Sequence, residues 1–244
     1  MKRFLGLLLL ASTAVYAQPE KKKKDIIYYE DSDVKDSRFS IALNLNPNFV
    51  NRRLINDETP EEGGLILKNT DAKGAFALNY DFDIFYRIGS SLDIGLGFGY
   101  SNGSYSYDGA KFYLNRPDTV TANVETDIAM YTLPIKLNFN TTMSDVFDLE
   151  VIPTVQLNFM QKYESNFSPL NGMPSFKADL SEEQKSLTFT VGIALGGTFH
   201  LNDNLGLITR LNINYMLSPL IEQDEFPRET LIDFGLNLGL KYTF

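Results

Sequence analysis

One imidazole, His200, limits the nucleophilic chemistry this 244-residue chain can offer. A Ser–His hydrolase needs the ring to orient and deprotonate the hydroxyl, and an Asp–His protease needs it beside a carboxylate. With a single His, at most one such centre exists. The 31 Asp and Glu residues supply abundant acid. No spacing among them selects a metal ion or a paired acid and base, and no EF-hand-like loop is present. The chain has no Cys, so it lacks thiolates and disulfides alike. The expectation is a protein without catalytic, cofactor-binding or metal-binding residues, and no enzyme. What remains is a set of inward candidates, namely Asp81, Asp83, Arg87, Asp93, Lys136, Glu150, Gln156, Arg210, Asp233 and Lys241, and an unusual pair, Pro134 and Pro153. The elements that carry them decide what they do.

Those elements show a period of two. Eight segments alternate, at about 38–50, 74–88, 91–107, 124–140, 147–163, 186–201, 205–217 and 230–244. In the first, Phe39, Ile41, Leu43, Leu45 and Phe49 oppose Ser40, Ala42, Asn44, Asn46 and Asn48. In the sixth, Leu187, Phe189, Val191, Ile193, Leu195 and Phe199 oppose Thr188, Thr190, Gly192, Ala194, Gly196 and Thr198. Short links at 89–90, 141–146 and 202–204 alternate with long ones at about 51–73, 108–123, 164–185 and 218–229. This rhythm predicts an all-β fold, an eight-stranded antiparallel transmembrane β-barrel of the outer membrane. An even strand count puts both termini on one side, the periplasm.

The aromatic residues support that placement. Phe39, Tyr86, Phe139, Phe147, Phe199, Tyr242 and Phe244 fall at one rim, and Phe49, Phe76, Tyr100, Tyr131, Phe159, Phe189 and Tyr215 at or near the other. Two girdles bracket an aliphatic band, as interfacial aromatics do. A water-soluble barrel would turn its apolar face inward. At the start, Lys2 and Arg3, the apolar run Phe4–Leu10 and Ala14–Ala17 read as a cleaved signal peptide over 1–17. A charged periplasmic tail follows at 18–37, with Lys21–Lys24, then Ile26–Tyr29, then Glu30, Asp31 and Asp33. The barrel takes 38–244, and its last strand ends in aromatic Phe244, a signal suited to the barrel-assembly machinery. The formal net charge of −9 speaks against nucleic acid as a partner. Outer-membrane lipid and lipopolysaccharide are the expected surroundings.

An eight-stranded lumen is only wide enough for its own side chains. Its opposite charges should pair and fill it as a salt-bridge plug, with interior glycines such as Gly95, Gly97, Gly99, Gly192 and Gly196 making room. His200 then faces inward at the periplasmic end, where it is structural. Pro134 and Pro153 cannot donate ladder hydrogen bonds. The 141–146 turn brings them together, which predicts a weakened seam between the fourth and fifth strands, or a pair of bulges there. Acidic loop residues Glu61, Glu62, Glu182, Glu183, Glu222, Asp224 and Glu225 read as solvated.

The fourth strand, Tyr131-Thr132-Leu133-Pro134-Ile135-Lys136-Leu137-Asn138-Phe139, resembles the L-P-x-x-L-x-F/Y strand of Bacteroidetes outer-membrane barrels. With the charged tail, eight strands and terminal Lys241–Phe244, the whole mature chain is similar to the PorT-like barrels of the type IX secretion system. The resemblance implies a non-enzymatic accessory component of protein secretion, which exports proteases such as gingipains or motility adhesins, working with other secretion-system proteins. Two other readings stand beside it. One is a structural or adhesive surface barrel acting through its loops, and the other is a lipid-modifying barrel enzyme.

Overall fold

The computed structural model describes residues 38–54, 65–66, 72–115, 118–181, 184–221 and 228–244. The signal-peptide segment 1–17, the tail 18–37 and the loop acids named above lie outside the described residues. Strands follow one another as β1 (Phe39–Leu54), β2 (Leu65–Ile66), β3 (Ala72–Gly89), β4 (Leu92–Asn115) and β5 (Asp118–Ser144). Then come β6 (Phe147–Pro169), β7 (Phe176–Asp179), β8 (Leu187–His200), β9 (Leu205–Met216) and β10 (Glu229–Thr243). Eight of them close a ring in the order β1, β3, β4, β5, β6, β8, β9, β10 and back to β1, every pair antiparallel. The eight-stranded barrel is therefore as the alternation required. The other two strands are short additions outside the ring: β2 pairs with β4, and β7 with β6.

The termini of the barrel meet at one end, called proximal here, where Ser40 stands opposite Thr243. Between the girdles the outer wall is apolar: Leu43, Leu96, Leu195 and Leu211 are each more than half exposed. Asn44, Asp83, Asn138, Glu150 and Thr198 on the alternate positions are buried inside. A closed ring with an apolar outside and a polar inside satisfies its backbone internally and presents hydrocarbon to lipid. The chain is an outer-membrane-type barrel. Rim aromatics pair on the outside, with Phe39 5.0 Å from Tyr86 and Phe147 4.6 Å from Phe199 at the proximal end. At the distal end Phe49 lies 5.5 Å from Phe234, and Tyr131 lies 5.7 Å from both Phe98 and Tyr100.

Two expectations need correction. Residues 108–123 do not form a loop. β4 and β5 stay paired out to Asn115–Asp118, and β6 runs on to Pro169 before β7 folds back on it. The reason is chemical. Above the distal girdle the same inward positions turn apolar, with Tyr105, Tyr107, Val120, Ala122, Val124 and Ile128 buried, while outward Asn123 and Glu125 are exposed and Asp127 is partly so. The polarity of the wall inverts there, so the strands continue past the bilayer with a core of their own.

The prolines behave differently from the expected shared seam. Pro134 interrupts pairing with β4, where the register passes from Leu96–Ile135 to Gly99–Thr132. The Pro153 gap lies on the β5–β6 side, between Lys136–Thr154 and Phe139–Val151. The register is unchanged across both gaps, so neither Pro makes a bulge. The bulge in the β5–β6 ladder sits instead at Ala129–Met130. A third proline, Pro47, opens an equivalent gap between β1 and β10, from Leu45–Leu238 to Asn48–Gly235. Each missing donor falls on a different seam of the wall.

Candidate functional site

The lumen is the place where the chain gathers its charged residues, and its contents change along the axis. At the proximal end Phe85, Ala42 and Ile208 form a buried apolar cluster. Phe85 lies over Gly95, where a Cβ would collide with its ring. At the surrounding rim His200 Nε2 is 2.9 Å from Asp148 Oδ2. Arg87, expected inside, stands at this rim with its side chain nearly half exposed and reaches Asp93 at 3.3 Å.

Next comes Glu150, fully buried. Its Oε2 accepts from Arg210 Nε at 2.8 Å, Arg210 Nη2 at 2.6 Å and Thr198 Oγ1 at 3.1 Å. Its Oε1 accepts from Lys241 Nζ at 3.3 Å and Asn138 Nδ2 at 3.2 Å. Charge-assisted bonds of this kind are the strong ones. Beside it Lys136 Nζ donates to Asp81 at 2.7 Å and to Asp83 at 2.6 Å. Asn44 Nδ2 also reaches both, at 2.9 and 2.8 Å, and Asn46 donates to Asp81. Gly97 makes the room for Asp83, since a Cβ there would overlap the carboxylate.

Further along lies a polar cavity of about 80 Å³, bordered by Asp81, Asp233, Lys136, Arg210, Gln156 and several asparagines. Asp233 Oδ1 accepts from Asn48 at 2.9 Å and from Asn214 at 2.8 Å. Among the described residues it has no ion-pair partner, so the expected plug of paired charges is incomplete at this point.

The distal core closes the column. Val50, Tyr105, Tyr107, Ile128, Met130, Met160, Tyr163, Met216, Leu220 and Leu231 pack together. Inside it Arg52 Nε sits 3.0 Å from Glu229 Oε2, to which Tyr105 Oη donates at 2.7 Å. Tyr163 Oη lies 2.9 Å from Tyr105 Oη, and the Arg52 guanidinium stacks 4.3 Å over the Tyr107 ring. These groups stand several residues beyond the distal girdle. Burial lifts the Glu229 carboxyl above its ordinary range against the pull of Arg52. Burial also pushes the Tyr105 and Tyr163 phenols up. Apolar packing thus seals both ends of the polar column, and the interior is a packed core.

Of the ten inward candidates, nine line the interior and Arg87 does not. The sequence reading passed over Phe85, although an aromatic on the polar side of a strand marks an internal packing site. It also missed the Arg52–Glu229–Tyr105 group, whose signal was the switch from polar to apolar inward residues beyond the girdle. Pro47 went unnoticed beside Pro134 and Pro153. No protein-family model and no curated protein matches this chain. Among solved structures it is similar to Neisserial surface protein A, at 11% identity over 84% of this chain and 97% of that one, with a TM-score of 0.48. Ail, the attachment invasion locus protein of Yersinia pestis, aligns at 8% identity over 84% and 99%, with a TM-score of 0.38. The Escherichia coli outer membrane protease OmpT aligns at 12% identity over 88% and 99%, with a TM-score of 0.42.

Proposed function

We propose that this barrel is a non-enzymatic accessory component of protein secretion, with its proximal end and both termini in the periplasm and its distal end outside the cell. The observation that carries this reading is the closed lumen. Glu150, Lys136 and the Phe85 cluster fill a ring already too narrow for a polypeptide, so any part in export is that of a scaffold or docking subunit. The resemblance of the Leu133-Pro134 strand and of the chain's plan to PorT-like barrels supports type IX secretion as the system. Its partners would then be other secretion-system proteins, and the barrel-assembly machinery would read the last strand. His200 supports a structural role, because its Nε2 is engaged by Asp148.

Deleting the gene tests the proposal. Loss of secreted proteases or adhesins, with precursors held in the periplasm, is the expected result. Intact secretion with weakened surface attachment would favour the second reading, an adhesive surface barrel. That reading has its own support in exposed Leu170, Met173 and Phe176 at the distal β6–β7 turn. Altered lipid A acylation with normal secretion would overturn both in favour of an enzyme.

A further inference from the structure

The interior between the two apolar seals holds more acid than base. Arg210 and Lys241 both belong to Glu150, Arg87 reaches Asp93 from the rim, and Lys136 is shared between Asp81 and Asp83. Asp233 has amide donors alone, from Asn48 and Asn214. Such donors favour the ionised carboxylate without neutralising it, and a buried charge without a counter-charge is strongly disfavoured.

The surroundings of Asp233 supply what a counter-ion needs. The cavity of about 80 Å³ that it borders exceeds the space of a single water. Asn46 and Asn237 also border it and occupy facing positions on β1 and β10, within the ladder gap beside Pro47. Each is 7% exposed, and each has a carboxamide oxygen without a hydrogen-bond partner. The oxygen of Asn212, on neighbouring β9, is likewise unpartnered. One carboxylate with several neutral amide oxygens is a ligand set for a hard cation. A single carboxylate at this corner, with Lys136 and Arg210 on the same cavity, suits one positive charge better than two.

We propose that this chamber binds an alkali-metal cation of the sodium class as the counter-ion of Asp233, with the carboxamides of Asn46, Asn212 and Asn237 as neutral ligands. The inference is independent of any role in secretion. To test it, the full chain is purified from membranes in a zwitterionic detergent and exchanged into choline chloride, whose cation is too bulky for the chamber. NaCl then replaces choline at constant ionic strength while thermal unfolding is followed. The expected midpoint rises with Na⁺ and saturates, and ²³Na line broadening appears in parallel. Asp233→Asn should abolish both responses and be at least as stable as the native chain in choline. If that variant fails to fold, Asn237→Leu provides the second test, its response shifting to several-fold higher Na⁺. A native midpoint identical in choline and Na⁺ overturns the proposal, as does a response unchanged in the variants. Insensitivity to Na⁺ with a midpoint that rises on acidification assigns a proton to Asp233 and overturns it equally.

Discussion

Between its girdles this barrel is apolar outside and polar inside, and beyond the distal girdle it is the reverse. Both regions belong to the same strands in the same register. On β5, Tyr131, Leu133, Ile135 and Leu137 face lipid while Thr132, Lys136 and Asn138 face the lumen. A few residues earlier Val124 and Ile128 are buried inside and Asn123 and Glu125 are turned out. The backbone is indifferent to this change, because a β-ladder satisfies its hydrogen bonds in either medium. What differs is the solvent each face meets. In lipid, burying apolar groups gains little and the lumen is organised by charge pairs. In water, the distal section organises itself by the hydrophobic effect, as a soluble domain does.

That contrast can be broken most severely inside the membrane section. Glu150→Ala would leave Arg210 and Lys241 without their carboxylate in a dry interior and should cost about 3–5 kcal/mol. Chemical unfolding in detergent micelles measures it. An unchanged midpoint would mean that water reaches this layer. The next test moves one charge between the two outer faces. Leu195→Arg, on the lipid side, should cost roughly 2–4 kcal/mol, whereas Asn123→Arg beyond the girdle should stay within about 0.5 kcal/mol. Equal costs would erase the distinction between the faces.

A smaller effect separates the two cores. Ile128→Val should cost about 0.5–1.5 kcal/mol. It should raise amide exchange in the distal halves of β4, β5 and β6 and leave their lipid-spanning halves protected. Uniform loss of protection would show one cooperative unit where two are expected. The smallest effect concerns pH. Hydrogen bonds from Lys162 and Lys177 hold the exposed Glu164 carboxyl below its ordinary 4.5. Because the folded value is the lower one, the stabilisation is present above that range and fades as pH falls through and below it. NMR shifts of β7 residues Lys177 and Ala178 should respond to acid there, and Glu164→Gln should remove the response.

The sequence made the membrane section legible because each lipid-facing position is written as an apolar residue at period two. Leu187 to Phe199 could be read almost residue by residue. The distal section was harder. Its strands keep the same period, but the polarity flips, so Tyr105, Tyr107 and Ala110 looked like the start of a loop, and Pro169 and the β7 return gave no run long enough to read. Within the site, charged residues announced that they face inward, and the pairing of Lys136 with two aspartates followed. Which carboxylate would lack a cation was not readable, because that depends on strand stagger around a closed ring. Phe85 was hidden for a related reason: one apolar residue on a polar face carries no periodic signal until Gly95 is found opposite it.

The junction of β1 with β10 has a temporal meaning as well. Ser40 and Thr243 lie about two hundred residues apart in sequence. The first strand emerges with a free edge and keeps it until the last strand has been made and delivered. Contacts that span the whole chain form slowly, and an unpaired edge invites foreign strands in the interval. The ring therefore gains its insulation in a single late step, when one strand closes both edges at once. Any factor that escorts this chain has to guard β1 for as long as β10 is missing.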